Sequence, residues 1–219
     1  MINANTLENP GLAIIIDPWE SLEEIDGADV YYKSLWKNIV NSINADNNIQ
    51  TVILASYGYD FCQLYSSEWM IDSYKLFYDG NNQVNTTWRD SILKESSLFE
   101  WPTNNGILQP GIKVPETILE QINKKKLMCL DTESLVWYVT QIVPHIKNIW
   151  YFGCHWGHCI RERAVGYSKL SASLTGHNHL SKADCVAKID NTFANAADFI
   201  GWTNIKDTSI YVKENGKNA

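Results

Sequence analysis

The sequence predicts an α/β protein in three layers, with a doubly wound, mostly parallel sheet covered by helices on both faces. Two observations predict this fold. Apolar runs such as residues 12–16 and 51–55 lack the polar–apolar alternation of half-exposed strands, so they are typical of strands buried on both faces. Stretches with apolar residues at helical spacing, such as residues 30–43, lie between those runs. Strands that alternate with helices favour parallel pairing, because the helix between two strands carries the chain back to the end of the sheet where the first strand began.

The same patterns place the remaining elements along the chain. Thr132 is predicted to cap a helix that ends at Pro144. Strands are predicted at residues 12–16, 51–55, 127–130, 149–152 and 185–189, with a short last strand at 210–212. Helices are predicted at residues 30–43, 133–143, 160–170 and 193–200. We therefore expect a sheet of about five or six strands, as is usual for domains of this kind.

The middle of the chain departs from this pattern. Residues 60–115 are rich in aromatic side chains and carry turn patterns at 79–82 and 104–106. We expect this segment to be an irregular insertion that covers a pocket. With 219 residues, the whole chain from 1 to 219 is interpreted as a single domain with a full core.

Composition restricts the partners and the compartment. The formal net charge is −7, and the longest basic run, residues 124–126, is too short to predict nucleic-acid binding. No apolar run approaches the ~20 residues of a membrane span, so no membrane association is predicted. The N-terminal residues do not resemble a secretory leader. We expect a cytoplasmic protein in which the cysteines, Cys62, Cys129, Cys154, Cys159 and Cys185, are free thiols.

Residues 153–159, with the sequence Gly-Cys-His-Trp-Gly-His-Cys, form the most informative motif. They follow a predicted strand and precede a predicted helix, which places Cys159 in the first helical turn. Free N–H groups and the positive end of the helix dipole lie there, and they lower the pKa of a thiol and favour a nucleophile. The alternative interpretation of Cys159 is a small buried hydrophobic residue, which describes most free cysteines.

Asp17 lies at the carboxyl end of the first predicted strand. Ligands of doubly wound sheets bind outside the carboxyl ends of the strands. We therefore expect Asp17 and Cys159, far apart in sequence, to lie at the same edge of the sheet. The alternative role for Asp17, which is followed by Pro18, is that of a turn or capping residue.

Together these features resemble the isochorismatase-like cysteine hydrolases, a superfamily with a Rossmann-like sheet that includes nicotinamidases and N-carbamoylsarcosine amidohydrolases. One shared feature is an apolar strand that ends in aspartate, here residues 13–17. Another is a glycine followed after five residues by a cysteine that opens a helix, here residues 153–159. Residues 132–135 loosely resemble the helix start of the family. The order of elements agrees over most of the chain, whereas the middle segment has no counterpart.

The resemblance implies hydrolysis of a small amide or a related C–N bond through a thioester. Cys159 would be the nucleophile and Asp17 the base that takes its proton. The backbone amides of His155 and Cys159 would form the oxyanion hole, aided by a cis peptide bond between Cys154 and His155. The resemblance implies a small-molecule substrate, no organic cofactor and self-association as a homo-oligomer.

The third catalytic group of the family is a lysine that precedes the helix at Thr132. Lys124, Lys125 and Lys126 lie in that region, and we choose Lys126 because it is nearest to the apolar run. The sequence does not decide between the three.

The nucleophile turn also differs from the family pattern. Small residues are replaced by bulky ones, so Trp156, together with Trp19, is expected to line the substrate pocket. Residues 56–60 contain no histidine after the second strand, so a metal site of the nicotinamidase type is not predicted.

Two other interpretations remain. Cys154, His155, His158 and Cys159 have donors that suit Zn²⁺, and His177 and His179 could complete such a site unless they lie in an exposed loop. Alternatively, the chain keeps the fold as a binding or scaffold protein without turnover.

Overall fold

Six strands form one sheet in the computed structural model, which describes residues 9–18, 28–55, 68–78, 119–129, 131–153, 159–186 and 202–204. Along the chain the strands are β1 (Gly11–Ile16), β2 (Ile49–Ala55), β3 (Lys125–Met128), β4 (Asn148–Gly153), β5 (Asn178–Val186) and β6 (Trp202–Asn204). Their order across the sheet is β3-β2-β1-β4-β5-β6. The first five strands are parallel, and β6 is antiparallel to β5. The predicted mostly parallel α/β sheet is therefore confirmed.

Four α-helices accompany the strands in the described part of the chain. They are α1 (Ala28–Ala45), α2 (Glu68–Tyr78), α3 (Thr132–Trp137), which continues as a π-helical segment (Tyr138–Ile142), and α4 (Tyr167–Ser173). Over the residues described, no helix combines the length and the hydropathy needed to cross a bilayer.

Strand β1 is the centre of the core. All six of its residues are buried, although successive side chains point to opposite faces of the sheet. Both faces must therefore be covered, as the uninterrupted apolar run predicts. Ile14 lies between Ile53 of β2 and Tyr151 of β4. Full burial of an isoleucine side chain contributes about 1.5–3 kcal/mol relative to exposure.

Helices cover opposite faces of β5. On one face, Lys182 donates a hydrogen bond of 2.9 Å to the hydroxyl of Ser42 in α1. On the other, Tyr167 of α4 packs edge-on against Tyr151 and His179, with ring centroids 6.1 and 6.0 Å away. Since His179 and Lys182 are three residues apart in one strand, they lie on opposite faces. The sheet is thus the middle of three layers.

Strand β5 begins well before its predicted start at residue 185. Its first half carries polar side chains, and their partners within the core explain why apolar periodicity missed it. The Ser181 hydroxyl donates to the Tyr151 carbonyl at 2.9 Å, and the Tyr151 hydroxyl bonds the Nδ1 atom of His179 at 3.0 Å. His179 is fully buried, so its placement in an exposed loop is wrong.

The predicted helix at residues 160–170 is also wrong in part. The chain makes a short helical turn at residues 159–162 and starts α4 only at Tyr167. Gly166, the N-cap of α4, packs so tightly that a Cβ there would lie 2.6 Å from the Ile160 carbonyl oxygen. Gly166 thus lies at a tight junction between the helical turn at residues 159–162 and α4.

Three further boundaries differ from the predictions. Asp131, not Thr132, caps α3, because its Oδ1 atom accepts a 2.8 Å bond from the Ser134 amide. Helix α2 lies inside the segment that we expected to be irregular, and β6 was not predicted. The helix predicted at 193–200 and the strand predicted at 210–212 lie outside the described residues.

The carboxyl ends of β1 and β4 share an unusual backbone geometry. Gly153, the last residue of β4, has a φ of 111°, and a Cβ there would lie 2.1 Å from the carbonyl oxygen of Ile16. Asp17, which follows β1, has a φ of 50°. Only glycine fits at position 153, because any side chain would meet the neighbouring backbone.

We expect Gly153→Ala to lower the free energy of unfolding by about 2–4 kcal/mol, through backbone strain and overpacking. Gly176→Ala is the matched control, since no atom lies within 4 Å of a Cβ at that position. The control should change stability by about 1 kcal/mol or less. Urea denaturation followed by tryptophan fluorescence compares the two variants. Equal stability of the two variants would contradict the close approach of β4 to Ile16.

Candidate functional site

The strand order reverses between β1 and β4. From β1 the chain proceeds to β2 and β3 on one side, and it then returns to place β4 and β5 on the other. Doubly wound sheets bind ligands at such a reversal, in the crevice outside the carboxyl ends of the strands. Ile16 and Gly153 are paired neighbours at that edge. The residues that follow these two strands are therefore the first place to search for chemistry.

Asp17 is the buried acid of this edge. Its residue is 0 % exposed, and its backbone N–H donates a 2.7 Å bond to the carbonyl of Ala55 at the end of β2. The carboxylate accepts three bonds from Arg163: Nε to Oδ1 at 3.0 Å, Nε to Oδ2 at 3.2 Å and Nη2 to Oδ2 at 2.8 Å. This fork geometry is the strongest way for one side chain to compensate a buried carboxylate.

Arg163 reaches Asp17 from the helical turn that contains Cys159. The Arg163 amide donates a 3.0 Å bond to the Cys159 carbonyl, so the two residues are one helical turn apart on the same face. The Arg163 side chain is 19 % exposed. The sequence prediction missed this residue, although the spacing of four between Cys159 and Arg163 could have indicated that the two act together.

Cys159 completes the cluster. The Asp17 carboxylate and the Arg163 guanidinium both lie close enough to its half-buried thiol to change the pKa of that thiol. The structure thus brings Asp17 and Cys159 together at one edge of the sheet, as the two strand ends predict.

The environment of Cys159 raises the pKa of its thiol to about 12. Burial is the largest cause, followed by the charge of Asp17 and the hydrogen bond to it, while Arg163 acts in the opposite direction. The predicted lowering of this pKa is therefore wrong. The prediction assumed a regular helix start, whereas Cys159 and Ile160 lie in a π-helical turn with a carboxylate beside the sulfur.

The arrangement would allow the thiol to act as a nucleophile with the carboxylate as its base. At neutral pH the thiol keeps its proton, and the Asp17 carboxylate beside it could accept that proton. A thiolate can form here by transfer of the proton to Asp17 during attack, rather than by resting ionisation. Nucleophile and base within hydrogen-bonding reach, with the base held by a third group, is the usual constellation of covalent catalysis.

Lys126 does not belong to this cluster, which corrects the prediction of a catalytic lysine at that position. In the sheet, Lys126 lies beside Val52, and Val52 lies beside Ala13. Ala13 is three residues before the end of β1, so Lys126 lies away from the edge that carries Asp17. The Lys126 ammonium group donates a 2.9 Å bond to the Ile122 carbonyl, and burial lowers its pKa despite the opposing charge of Glu120. Lys124 and Lys125 lie still farther from the carboxyl ends of the strands. Among the described residues, Arg163 is the cation that contacts Asp17.

Several predicted site residues lie outside the described residues. These are Trp19, Cys154, His155, Trp156 and His158. The pocket lining by Trp19 and Trp156, the His155 share of the oxyanion hole and the cis peptide bond thus stay predictions.

Metal binding through His179 is contradicted by its hydrogen bonds. One ring nitrogen, Nε2, lies 3.1 Å from the Leu174 carbonyl, which can only accept, so we assign the ring proton to Nε2. The other, Nδ1, then accepts the hydrogen bond from Tyr151. Neither nitrogen is available to a metal ion. Among the described residues, no group of three His, Cys, Asp or Glu side chains is arranged to hold one.

A separate open groove of about 570 Å³ lies between α3, the π-helical segment and α4. It is lined mainly by apolar atoms and includes neither Asp17 nor Cys159; its lining residues are Thr132, Glu133, Val136, Trp137, Thr140, Gln141 and Ser173. Thr132 also donates a hydrogen bond to the Ala164 carbonyl, directly after Arg163. Thr132, which lines the groove, is therefore hydrogen-bonded to the residue that follows Arg163 in sequence.

Removal of the charge on Asp17 and removal of the charge on Arg163 should change the pKa of the Cys159 thiol in opposite directions. Asp17→Asn removes the negative charge that raises the pKa of the thiol, so alkylation by iodoacetamide at pH 8 should become about tenfold faster or more. Arg163→Gln removes the opposing positive charge, so alkylation should become slower. Peptide mass spectrometry measures the rate at Cys159.

Cys185 is the internal control for this measurement. Burial also raises its thiol pKa to about 12, but its neighbours are Ser42, Asp184 and Lys182. Its alkylation rate should be the same in all variants. Faster alkylation of both cysteines would indicate general opening of the protein, and an unchanged Cys159 rate in Asp17→Asn would contradict the contact.

Comparisons with protein-family models, with curated proteins and with solved structures give no match for this chain.

Proposed function

We propose that the protein is a cysteine-dependent hydrolase that cleaves a small amide or a related C–N bond through a thioester. The observation that carries the proposal is the placement of the Cys159 thiol beside the buried Asp17 carboxylate, which Arg163, one helical turn after Cys159, holds through three hydrogen bonds. It lies where the strand order of a doubly wound sheet reverses, which is the usual ligand position of this fold.

In the first half of the proposed reaction, the Cys159 proton passes to Asp17 while the sulfur attacks the substrate carbonyl carbon. The tetrahedral intermediate then collapses, and Asp17 returns the proton to the leaving nitrogen, so that an amine or ammonia departs. The acyl group remains on Cys159 as a thioester.

In the second half, water replaces the departed amine. Asp17 accepts a proton from the water as its oxygen attacks the thioester, and the carboxylic acid product leaves while the proton returns to sulfur. The free thiol and the carboxylate are restored, so no oxidant, metal or organic cofactor enters the balance of this reaction.

The resemblance to isochorismatase-like hydrolases supports the same assignment of roles. It adds the amides of His155 and Cys159 as the proposed oxyanion hole and Trp19 and Trp156 as proposed pocket residues. Each oxyanion donor of this kind typically lowers the barrier by about 3 kcal/mol. The site differs from that family in its cation. Here the cation is Arg163, which follows the nucleophile in sequence, whereas the family has a lysine on the third strand.

A binding protein without turnover is the second candidate, and the electrostatics of the site favour it. A thiol with a pKa of about 12 is a poor resting nucleophile, and Arg163 holds the Asp17 carboxylate through three hydrogen bonds. These features would suit a site that binds a small molecule and leaves it unchanged.

Ammonia release from a panel of small primary amides and N-carbamoyl acids tests the proposal. For any compound that the wild type hydrolyses, Cys159→Ala and Asp17→Asn should each lower kcat/KM by about 10³-fold or more, because each removes a group that bonds to the reacting atoms. Cys185→Ala is the matched control and should retain activity, since it removes a buried thiol whose pKa is also raised but whose neighbours are different residues.

Two results would contradict the hydrolase. One is a folded wild-type protein that binds members of the panel but releases no ammonia from any of them, which would favour the binding protein. The other is hydrolysis that persists in Cys159→Ala at the wild-type rate. Circular dichroism of each variant verifies that lost activity does not reflect unfolding.

A further inference from the structure

Arg163 lies on the solvent side of the ion pair. Its side chain is 19 % exposed, whereas the Asp17 side chain is 0 % exposed. A molecule that enters from solvent therefore meets the guanidinium before it meets the carboxylate. The half-buried thiol of Cys159 lies close enough to both groups for each to change its pKa.

The three hydrogen bonds to Asp17 use a recognition geometry that any carboxylate can share. A planar guanidinium presents paired N–H donors that match two carboxylate oxygens, whether these belong to the protein or to a ligand. An incoming carboxylate can therefore bind the same donors that now bind Asp17.

We infer that Arg163 binds a carboxylate of the substrate and gives up Asp17 in exchange, so that the substrate is an amide or N-carbamoyl compound that carries a carboxylate near the C–N bond. This inference rests on the proposed function, because it assigns the substrate class of the same site.

In the resting site, the Asp17 carboxylate is a weak base because Arg163 holds it, and the exchange would remove this obstacle. A carboxylate accepts a proton more readily once a guanidinium has left it. In the exchanged state the S–H bond of Cys159 breaks, an O–H bond forms on Asp17, and the thiolate remains beside the substrate carbonyl. The base thus becomes stronger only when a substrate is present, and an empty site keeps its thiol protonated.

Iodoacetate and iodoacetamide test the exchange without turnover, because they alkylate the same sulfur and differ in charge. The measured quantity is the rate of Cys159 alkylation by iodoacetate divided by the rate with iodoacetamide, in the full chain. This ratio is then divided by the same ratio for glutathione. In the wild type we expect this normalised ratio to exceed one by about tenfold or more, since the guanidinium captures the carboxylate of iodoacetate.

Arg163→Gln should bring the normalised ratio to one or below, because Asp17 then repels the anion. Arg161→Gln is the matched control: it removes the same charge two residues away, from a side chain that is 53 % exposed and pairs with Glu162. The control should keep the wild-type ratio within about twofold, as expected for a screened surface charge.

A wild-type ratio at or below that of glutathione would overturn the inference, and so would a high ratio that persists in Arg163→Gln. Absence of alkylation by either reagent would also overturn it, since the exchange requires access to Arg163 and Cys159. The outcomes separate the two proposals. A ratio that depends on Arg163, without ammonia release, would support carboxylate binding and contradict hydrolysis. Equal hydrolysis of neutral and carboxylate-bearing amides would support the hydrolase and contradict the carboxylate requirement.

Discussion

The ion pair between Asp17 and Arg163 joins the two halves of the sheet at the point where the strand order reverses. Asp17 directly follows β1 and has no exposed surface, and a buried carboxylate without a partner would cost several kcal/mol. Arg163 supplies that partner from the segment that follows β4. Because Arg163 is one helical turn after Cys159, the same contact places the thiol beside the carboxylate. The position of the candidate nucleophile is thus linked to the charge pair that compensates the buried carboxylate in the resting site.

The electrostatics of the site follow from that geometry. Strand β1 is apolar and buried along its length, so the first acidic side chain after it lies at the rim of a region of low polarity. The carboxylate, which the Arg163 guanidinium compensates, disfavours a second negative charge on the sulfur. A reactive thiol in such a place needs either proton transfer to the carboxylate or a change in the guanidinium contact, and both proposals for this site derive from that need.

The sequence predicted the elements whose evidence is local. The apolar runs of β1, β2 and β4 and the helical spacing in α1 follow from burial alone, and the residues after β1 and β4 could be assigned to one edge from the topology of parallel sheets. Strand β5 was predicted too late because His179 and Ser181 are buried through hydrogen bonds, which leave no apolar pattern. Lys126 was chosen from its distance to an apolar run, but strand register places it away from the edge. The role of Arg163 and the raised pKa of Cys159 depend on tertiary contacts that no local pattern contains.

The most direct measurement of the central claim is a double-mutant cycle for the free energy of unfolding, with Asp17→Asn, Arg163→Gln and the combined variant. If the two side chains form a buried ion pair, the single variants should each be strongly destabilised, and the double variant should recover at least about 1.5 kcal/mol relative to their sum. Changes that add to within about 0.5 kcal/mol would show that the two side chains do not interact, and the site built on their contact would be contradicted.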